Sequence, residues 1–144
     1  MHLTLGVPFE HAVPYVQLEH EYVGYETVTV TRMDEMIKGH LGKDVPRTAL
    51  LVVCHAEIAQ RALEIDPRLG GMLPCTTVVY EVPGDDRVLI HHVSVTKAIR
   101  DLRYAQADAD AAVEQLVELS GEPMSDVWEK IEAHADVVAL DEDG

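Results

Sequence analysis

The segment RTALLVVCHAEIAQRALEIDPRLGGMLPCTTVVYEV, residues 47–82, decides the fold. Its first part, residues 47–54, is a nearly continuous apolar run, which is the pattern of a strand buried on both faces. Apolar residues then recur at helical spacing up to Asp66, and a Gly-Gly pair after it allows a tight bend. Residues 75–82 and 87–95 are two strand-like runs on either side of PGDD, so they predict a β-hairpin.

The same patterns assign the rest of the chain to one α+β domain, residues 1–140, followed by an acidic tail at 141–144. We expect a curved antiparallel sheet packed by helices, with a central β-hairpin and two C-terminal helices that are separated near Gly121. The further elements are a helix around 8–20 that starts or kinks near Pro14, a strand at 25–31, a short helix at 33–42 ended by Gly42, and the two C-terminal helices at 107–119 and 125–138.

Charge is the strongest feature of the composition. The 144 residues contain 11 Lys and Arg against 26 Asp and Glu, which gives a net charge of −15. Such a surface repels phosphate backbones and anionic lipid, so nucleic acid and membranes are not expected partners. Scarce lysine beside abundant carboxylate also suggests a halophilic source. The first residues show no signal peptide and no run is long enough to cross a membrane, so we expect a cytoplasmic protein.

The segment also carries half of a zinc-dependent deaminase motif. His55-Ala56-Glu57 supplies the zinc-binding His and the proton-shuttling Glu of that chemistry, and Pro74-Cys75 opens its second half. The motif requires a second cysteine three residues after the first, where this chain has Val78. The residues after Cys75 also form a strand where the motif needs a helix. The deaminase interpretation is therefore rejected.

The segment resembles a family known as domain of unknown function 302. Four residues carry the resemblance: Cys54 at the end of the apolar strand, and the Leu73-Pro74-Cys75 that enters the next strand. The family has Asn-Pro after the first cysteine, whereas this chain has His-Ala, which is a departure. The resemblance extends over residues 7–105. It implies an α+β fold with an antiparallel sheet, often assembled as a homodimer, and it implies no established activity.

The two cysteines are the candidate site. Cys54 stands at a strand end directly before a helix, where the positive end of the helix favours a thiolate, and His55 is adjacent to it. If the ends of the two strands meet, Cys54, Cys75 and His55 lie close together. Two thiolates and an imidazole suit a transition metal such as Cu or Zn, so these three residues are the predicted metal and ligand site.

Three functions remain open from the sequence. The first is a small cytosolic binding module whose Cys54 and Cys75 region takes a metal ion or a small thiol-reactive ligand. The second is a thiol-redox or sulfur-handling protein that uses the same cysteines without metal. The third is a structural or interaction domain with inert, buried cysteines. The sequence identifies no catalytic residue, and it leaves open whether the protein is an enzyme.

The histidine pair His91-His92 lies within a predicted strand, so its two side chains must point to opposite faces of the sheet. We expect the inward one to be a neutral core histidine with one hydrogen bond. The other histidines, His11, His20, His40 and His134, receive no role.

Overall fold

A computed structural model describes residues 2–84, 87–103, 105, 107–134 and 137–139. Within these ranges the chain forms six strands, five α-helices and two 3-10 helices. The strands are β1 (His2–Leu5), β2 (Tyr25–Arg32), β3 (Thr48–His55), β4 (Cys75–Glu81), β5 (Val88–Val93) and β6 (Val137–Ala139). The α-helices are α1 (Phe9–Tyr22), α2 (Met33–Leu41), α3 (Ala56–Ile65), α4 (Val95–Asp101) and α5 (Asp110–His134), and the 3-10 helices span Pro67–Met72 and Ala107–Ala109. The predicted acidic tail at 141–144 lies outside the described residues.

The strands form one antiparallel sheet in the order β2-β3-β4-β5-β1-β6. The hairpin of β4 and β5 stands at its centre, and its register pairs Thr77 with His92 and Val79 with Ile90. The α+β class, the antiparallel sheet packed by helices and the central hairpin are confirmed. No helix among the described residues is long and apolar enough to cross a membrane.

Helices α1 and α5 cover one face of the sheet, which we call the core face. Their apolar side chains join those of the strands in the main cluster of buried residues, which includes Phe9, Val16, Leu51, Val53 and Trp128. A second cluster, with Leu69 and Leu116 among its members, fills the space between α3, the first 3-10 helix, α4 and the first half of α5. The main cluster therefore lies on one side of the sheet, although Leu89 and Thr4 on the other side are also buried.

The opposite face, which we call the open face, corrects the expectation that the apolar run in β3 is buried on both sides. Ala49, Leu51 and Val53 are fully buried on the core face, whereas the alternating Leu50 and Val52 are only half-buried. Because side chains alternate along a strand, a continuous apolar run gives two apolar faces but does not guarantee that both are covered.

Helix α5 corrects the expectation of two C-terminal helices. It runs for 25 residues from Asp110 to His134 and contains Pro123 in its interior. Leu116, Met124 and Ile131 are all buried, so the apolar stripe continues past Gly121 and Pro123. Burial of this stripe against the core outweighs the local helix-breaking tendency of glycine and proline. The predicted helix also ends earlier than expected, because Val137–Ala139 form β6 and pair with β1.

The remaining early elements lie where the sequence places them. Helix α1 starts at Phe9 and continues through Pro14, so the expected start near Pro14 is wrong. Helix α2 ends at Gly42, whose φ of 67° is the left-handed conformation that favours glycine. Strand β2 lies at one edge of the sheet, and its pairing with β3 is interrupted by an irregularity between Thr27 and Thr29.

Candidate functional site

The sheet register decides where the three predicted site residues point. Cys75 pairs with Val53, a core-face residue, so its side chain lies on the core face. His55 pairs with Tyr25 and lies on the same face, with the two rings 5.2 Å apart in an edge-to-face arrangement. Cys54 stands between Val53 and His55 on β3, so alternation directs its side chain to the open face. The sheet therefore lies between Cys54 and the other two residues.

Both cysteines are free thiols, and neither has the lowered pKa that the sequence suggested. Burial, followed by the nearby Cys54, raises the pKa of the Cys75 thiol to about 11. Burial, followed by the charge of Glu26, also raises the pKa of Cys54. Loss of hydration outweighs any favourable helix end at both positions, so both side chains are protonated thiols near neutral pH.

The described residues contain no group of three or more His, Cys, Asp and Glu side chains that could hold a metal ion. His55 is instead packed against Tyr25, and its Nδ1 is buried without a hydrogen-bond partner among the described residues. Metal binding by Cys54, Cys75 and His55 stays a prediction, and the geometry of these three side chains gives it no support.

A chain of hydrogen bonds runs through the core beside Cys75. The Nδ1 of His20 lies 2.7 Å from the carbonyl oxygen of Val16. Its Nε2 lies 3.0 Å from the hydroxyl oxygen of Thr77, and that oxygen lies 3.0 Å from the Nδ1 of His92. His20 and Thr77 are fully buried and His92 is 8% exposed. We call this arrangement the histidine relay.

The relay has one arrangement of protons when both rings are neutral. A carbonyl oxygen only accepts hydrogen bonds, so Nδ1 of His20 carries the proton and its Nε2 accepts one from Thr77. The Thr77 oxygen then accepts from Nδ1–H of His92, which leaves the Nε2 of His92 with a lone pair. Burial lowers the pKa of His20, and burial together with the neighbouring His20 lowers the pKa of His92 to about 3. Both rings are therefore neutral over the physiological range.

His92 and Cys75 line a cavity of about 180 Å³ at the end of the sheet, beneath the start of α4 and the middle of α5. Cys75 lies on the strand next to His92 and two residues away from its partner Thr77, so the two side chains are diagonal neighbours on the core face. The wall opposite the sheet comes from α5 around Gly121 and Ser125. The cavity thus connects the relay with the surface of the molecule.

The charge of the cavity lining differs from that of the whole chain. None of the described residues that line it is Asp or Glu, and Lys97 is an exposed cation among them. Thr96 and Ser120 bond each other at 2.6 Å, and Ser120 donates to the carbonyl oxygen of Val117, so these hydroxyls are engaged. Ser94 lines the same cavity and makes no capping bond to α4. The lining combines apolar side chains, such as Ile58 and Met124, with several polar ones, and such convergence of polar groups in a concave site is a feature of small-molecule sites.

Sequence reasoning found part of this arrangement. The expectation that one histidine of the His91-His92 pair is buried, neutral and hydrogen-bonded is confirmed for His92. Sequence reasoning did not identify His20, which has no exposed surface. A signal was present, because His20 follows the buried Ala12 and Val16 at four-residue spacing and so lies on the buried stripe of α1.

Comparisons with known proteins agree with the family resemblance. The family described as Domain of unknown function DUF302 has a sequence model that matches residues 1–122. A crystal structure of an uncharacterized conserved protein DUF302 from Bacillus stearothermophilus is similar in fold, with a TM-score of 0.74 and 17% sequence identity. The likeness covers 88% of this chain and 93% of that one. No curated protein matches the chain. The homodimer and the cytoplasmic location stay predictions.

Proposed function

The chain belongs to the family Domain of unknown function DUF302, and we propose that this member is a small-molecule-binding module whose ligand lies in the cavity beside Cys75 and His92. One observation carries the proposal. A hydrogen-bonded, neutral His92 and a protonated Cys75 thiol line the same cavity, together with apolar side chains and several hydroxyl groups. Buried polar groups that converge with apolar side chains on one cavity are a usual feature of a ligand site.

The size of the cavity limits the ligand. A volume of about 180 Å³ is slightly larger than a dry protein cavity that accepts benzene, which is roughly 150 Å³. The ligand is therefore a compound of about six to eight non-hydrogen atoms.

The charge of the lining limits the ligand further. The chain has a net charge of −15, yet the described lining residues include Lys97 and no carboxylate. A cationic ligand would bind better almost anywhere else on this surface, whereas a neutral or singly negative one meets least repulsion here. We therefore infer a neutral or singly negative ligand.

A small molecule fits the site better than a metal ion or a redox-active pair of cysteines, both of which the sequence left open. A metal ion would lack a third ligand among the described residues, and the raised pKa of Cys75 disfavours the thiolate that metals require. A disulfide between Cys54 and Cys75 requires side chains that point toward each other, and these two point to opposite faces of the sheet. The thiol of Cys75 instead forms part of the cavity lining, beside the ligand.

Titration with fragment-sized compounds, followed by amide chemical shifts in ¹H–¹⁵N NMR spectra, tests the proposal. We expect neutral and singly negative compounds of the inferred size to shift the amides of Cys75, His92, Ser94 and Gly121. Shifts confined to other surfaces, or none at millimolar concentration, would contradict the proposal.

A matched pair of glycines supplies the control. A Cβ added at Gly121, which lines the cavity, meets no heavy atom within 4 Å, and the same holds for Gly39 on α2, away from the cavity. Gly121→Leu extends a side chain from the cavity wall into open space, so we expect at least a tenfold loss of fragment affinity. Gly39→Leu should leave affinity unchanged. Equal affinities of the two variants would place the ligand elsewhere.

A further inference from the structure

The histidine relay ends at an atom that it does not use. His20 is held by the carbonyl oxygen of Val16, Thr77 is held by His20, and the Nδ1 of His92 is held by Thr77. The Nε2 of His92 is therefore the one ring nitrogen of the relay without a partner inside it, and His92 lines the cavity.

We propose that the Nε2 of His92 is the hydrogen-bond acceptor for the ligand, so that the ligand carries an uncharged O–H or N–H donor at its buried end. Thr77 and His20 are positioning residues, because they set the tautomer of His92 and do not touch the ligand. This inference rests on the proposed function and specifies the chemical class of its ligand.

The direction of the relay is fixed at its far end. Reversing it would require the Nδ1 of His20 to accept a hydrogen bond from the carbonyl oxygen of Val16, which has no proton to give. Thr77 has a single hydroxyl proton, and it donates that proton in its hydrogen bond to the Nε2 of His20. His92 must consequently keep its own proton on Nδ1.

The surroundings of His92 prevent its Nε2 from acting as a donor. An Nε2–H in addition to the Nδ1–H would make the ring a cation, and no carboxylate is present among the described lining residues to stabilise it. The ring contacts Trp128 edge to face at 6.0 Å and shares Thr77 with the neutral His20. A ligand that offers only an acceptor to Nε2 therefore meets lone pair against lone pair, and an apolar ligand leaves Nε2 unpaired.

Phenol and toluene are matched probes for this inference. They have the same shape and the same number of non-hydrogen atoms, which fits the cavity, but only phenol has an O–H donor. Leaving a buried acceptor unpaired weakens binding by about ten- to a hundredfold. We therefore expect phenol to bind about ten- to a hundredfold more tightly than toluene, measured by amide shifts at Cys75, His92 and Ser94.

The tautomer of His92 is measured independently of any ligand. In ¹⁵N-labelled protein at neutral pH, we expect the His92 ring to carry its proton on Nδ1 and the Nε2 resonance to be that of an unprotonated nitrogen. Thr77→Val removes the hydroxyl, so the two tautomers should mix and the phenol preference should fall. Thr77→Ser keeps the hydroxyl and should retain both.

The outcomes separate the two proposals. A His92 proton on Nε2 in the native protein, or equal affinity for phenol and toluene, overturns the acceptor role while leaving cavity binding in place. Binding of neither probe overturns the proposed function, and the ligand inference with it, whatever the tautomer. If Thr77→Val does not fold, the native tautomer and the probe pair still decide the result.

Discussion

The two faces of the sheet are built from alternating residues of the same strands, yet along β3 their surroundings differ. Leu51 and Val53 on the core face are sealed beneath α1 and α5, whereas Leu50 and Val52 on the open face keep part of their surface exposed. The difference separates the two cysteines as well. Which face a residue occupies, and not its closeness to a motif in the sequence, determines its chemistry here.

A neighbouring pair of leucines gives the largest expected contrast. Leu51→Ala leaves a cavity in the core and should lower the free energy of unfolding by about 2–5 kcal/mol. Leu50→Ala removes a half-buried side chain from the open face and should cost about 1 kcal/mol or less. Chemical denaturation of the two variants measures the contrast.

Equal losses of unfolding free energy in Leu50→Ala and Leu51→Ala would contradict the difference between the two faces. They would mean that a further layer covers the open face in solution, and a second copy of the chain would satisfy the homodimer that the sequence predicts. Sedimentation of the native protein and of Leu50→Ala would then show whether the loss accompanies dissociation.

The two cysteines provide the next contrast, which is in their rates of alkylation. A thiol with a pKa of about 11 has few thiolates at pH 8, so Cys75 should react with iodoacetamide on the order of a hundredfold more slowly than an unperturbed cysteine. Single-thiol variants Cys54→Ser and Cys75→Ser, followed by mass spectrometry, separate the two rates. We expect Cys54, which is less shielded, to react faster. Alkylation of Cys75 at the rate of a free cysteine would contradict its burial.

The histidine relay predicts that the stability of the folded chain depends on pH, because both of its histidines are buried on the core face. His20 and His92 have lowered pKa values in the folded chain, whereas an unfolded histidine titrates near pH 6.5. Below that pH the unfolded chain binds protons that the folded chain does not, so stability is present in full above pH 6.5 and falls as the pH is lowered. For His92 the fall should be about 1.4 kcal/mol per pH unit, until its folded pKa of about 3 is approached.

Between pH 6.5 and 5 the contribution of the two buried histidines to stability can be measured apart from that of the carboxylates. Asp34, Asp66 and Glu81 also have lowered pKa values, but the stability they contribute is lost at lower pH, near and below the unfolded pKa of a carboxyl. Denaturation at several pH values should show that the free energy of unfolding of His92→Gln depends less steeply on pH than that of the native chain. A slope unaffected by His92→Gln would contradict the buried, neutral ring.

The smallest expected effect concerns the helices. Gly121→Ala improves helix propensity within α5, which is packed into the core, and should raise the stability by roughly 0.5–1 kcal/mol. Gly39→Ala makes the same change in α2, which buries none of its residues, and should raise it less because α2 can fray without unfolding the core. A larger gain at Gly39 would show that α2 is coupled to the core more tightly than its burial indicates.

Much of the fold could be predicted because local patterns and tertiary packing agree in it. The hairpin of β4 and β5 has two strand-like runs around a turn sequence, and α2 ends at a glycine that adopts a left-handed conformation. Helix α5 shows where such reasoning fails. Its local sequence favours a break at Gly121, but a stripe of buried residues on both sides of that position keeps the helix continuous.

The candidate site was harder to predict because it is assembled across strands. Cys75 was identified from its motif, but its partners in space, His92 and Thr77, are determined by the register of β4 and β5. The contribution of His20 depends on how α1 lies across the sheet. A sequence pattern can show that a residue is buried, but it does not show which distant side chain it contacts.

The irregularity in β2 has a consequence for association between chains. Strand β2 is an edge of the sheet, and Val28 and Val30 on it are exposed. An exposed apolar edge is a template for strand addition, but the register shift between Thr27 and Thr29 breaks the regular spacing of its backbone donors and acceptors. A second chain could extend only a few residues of ladder along this edge before losing register. The protein thereby retains β-branched residues at its border without offering a continuous start for a fibril.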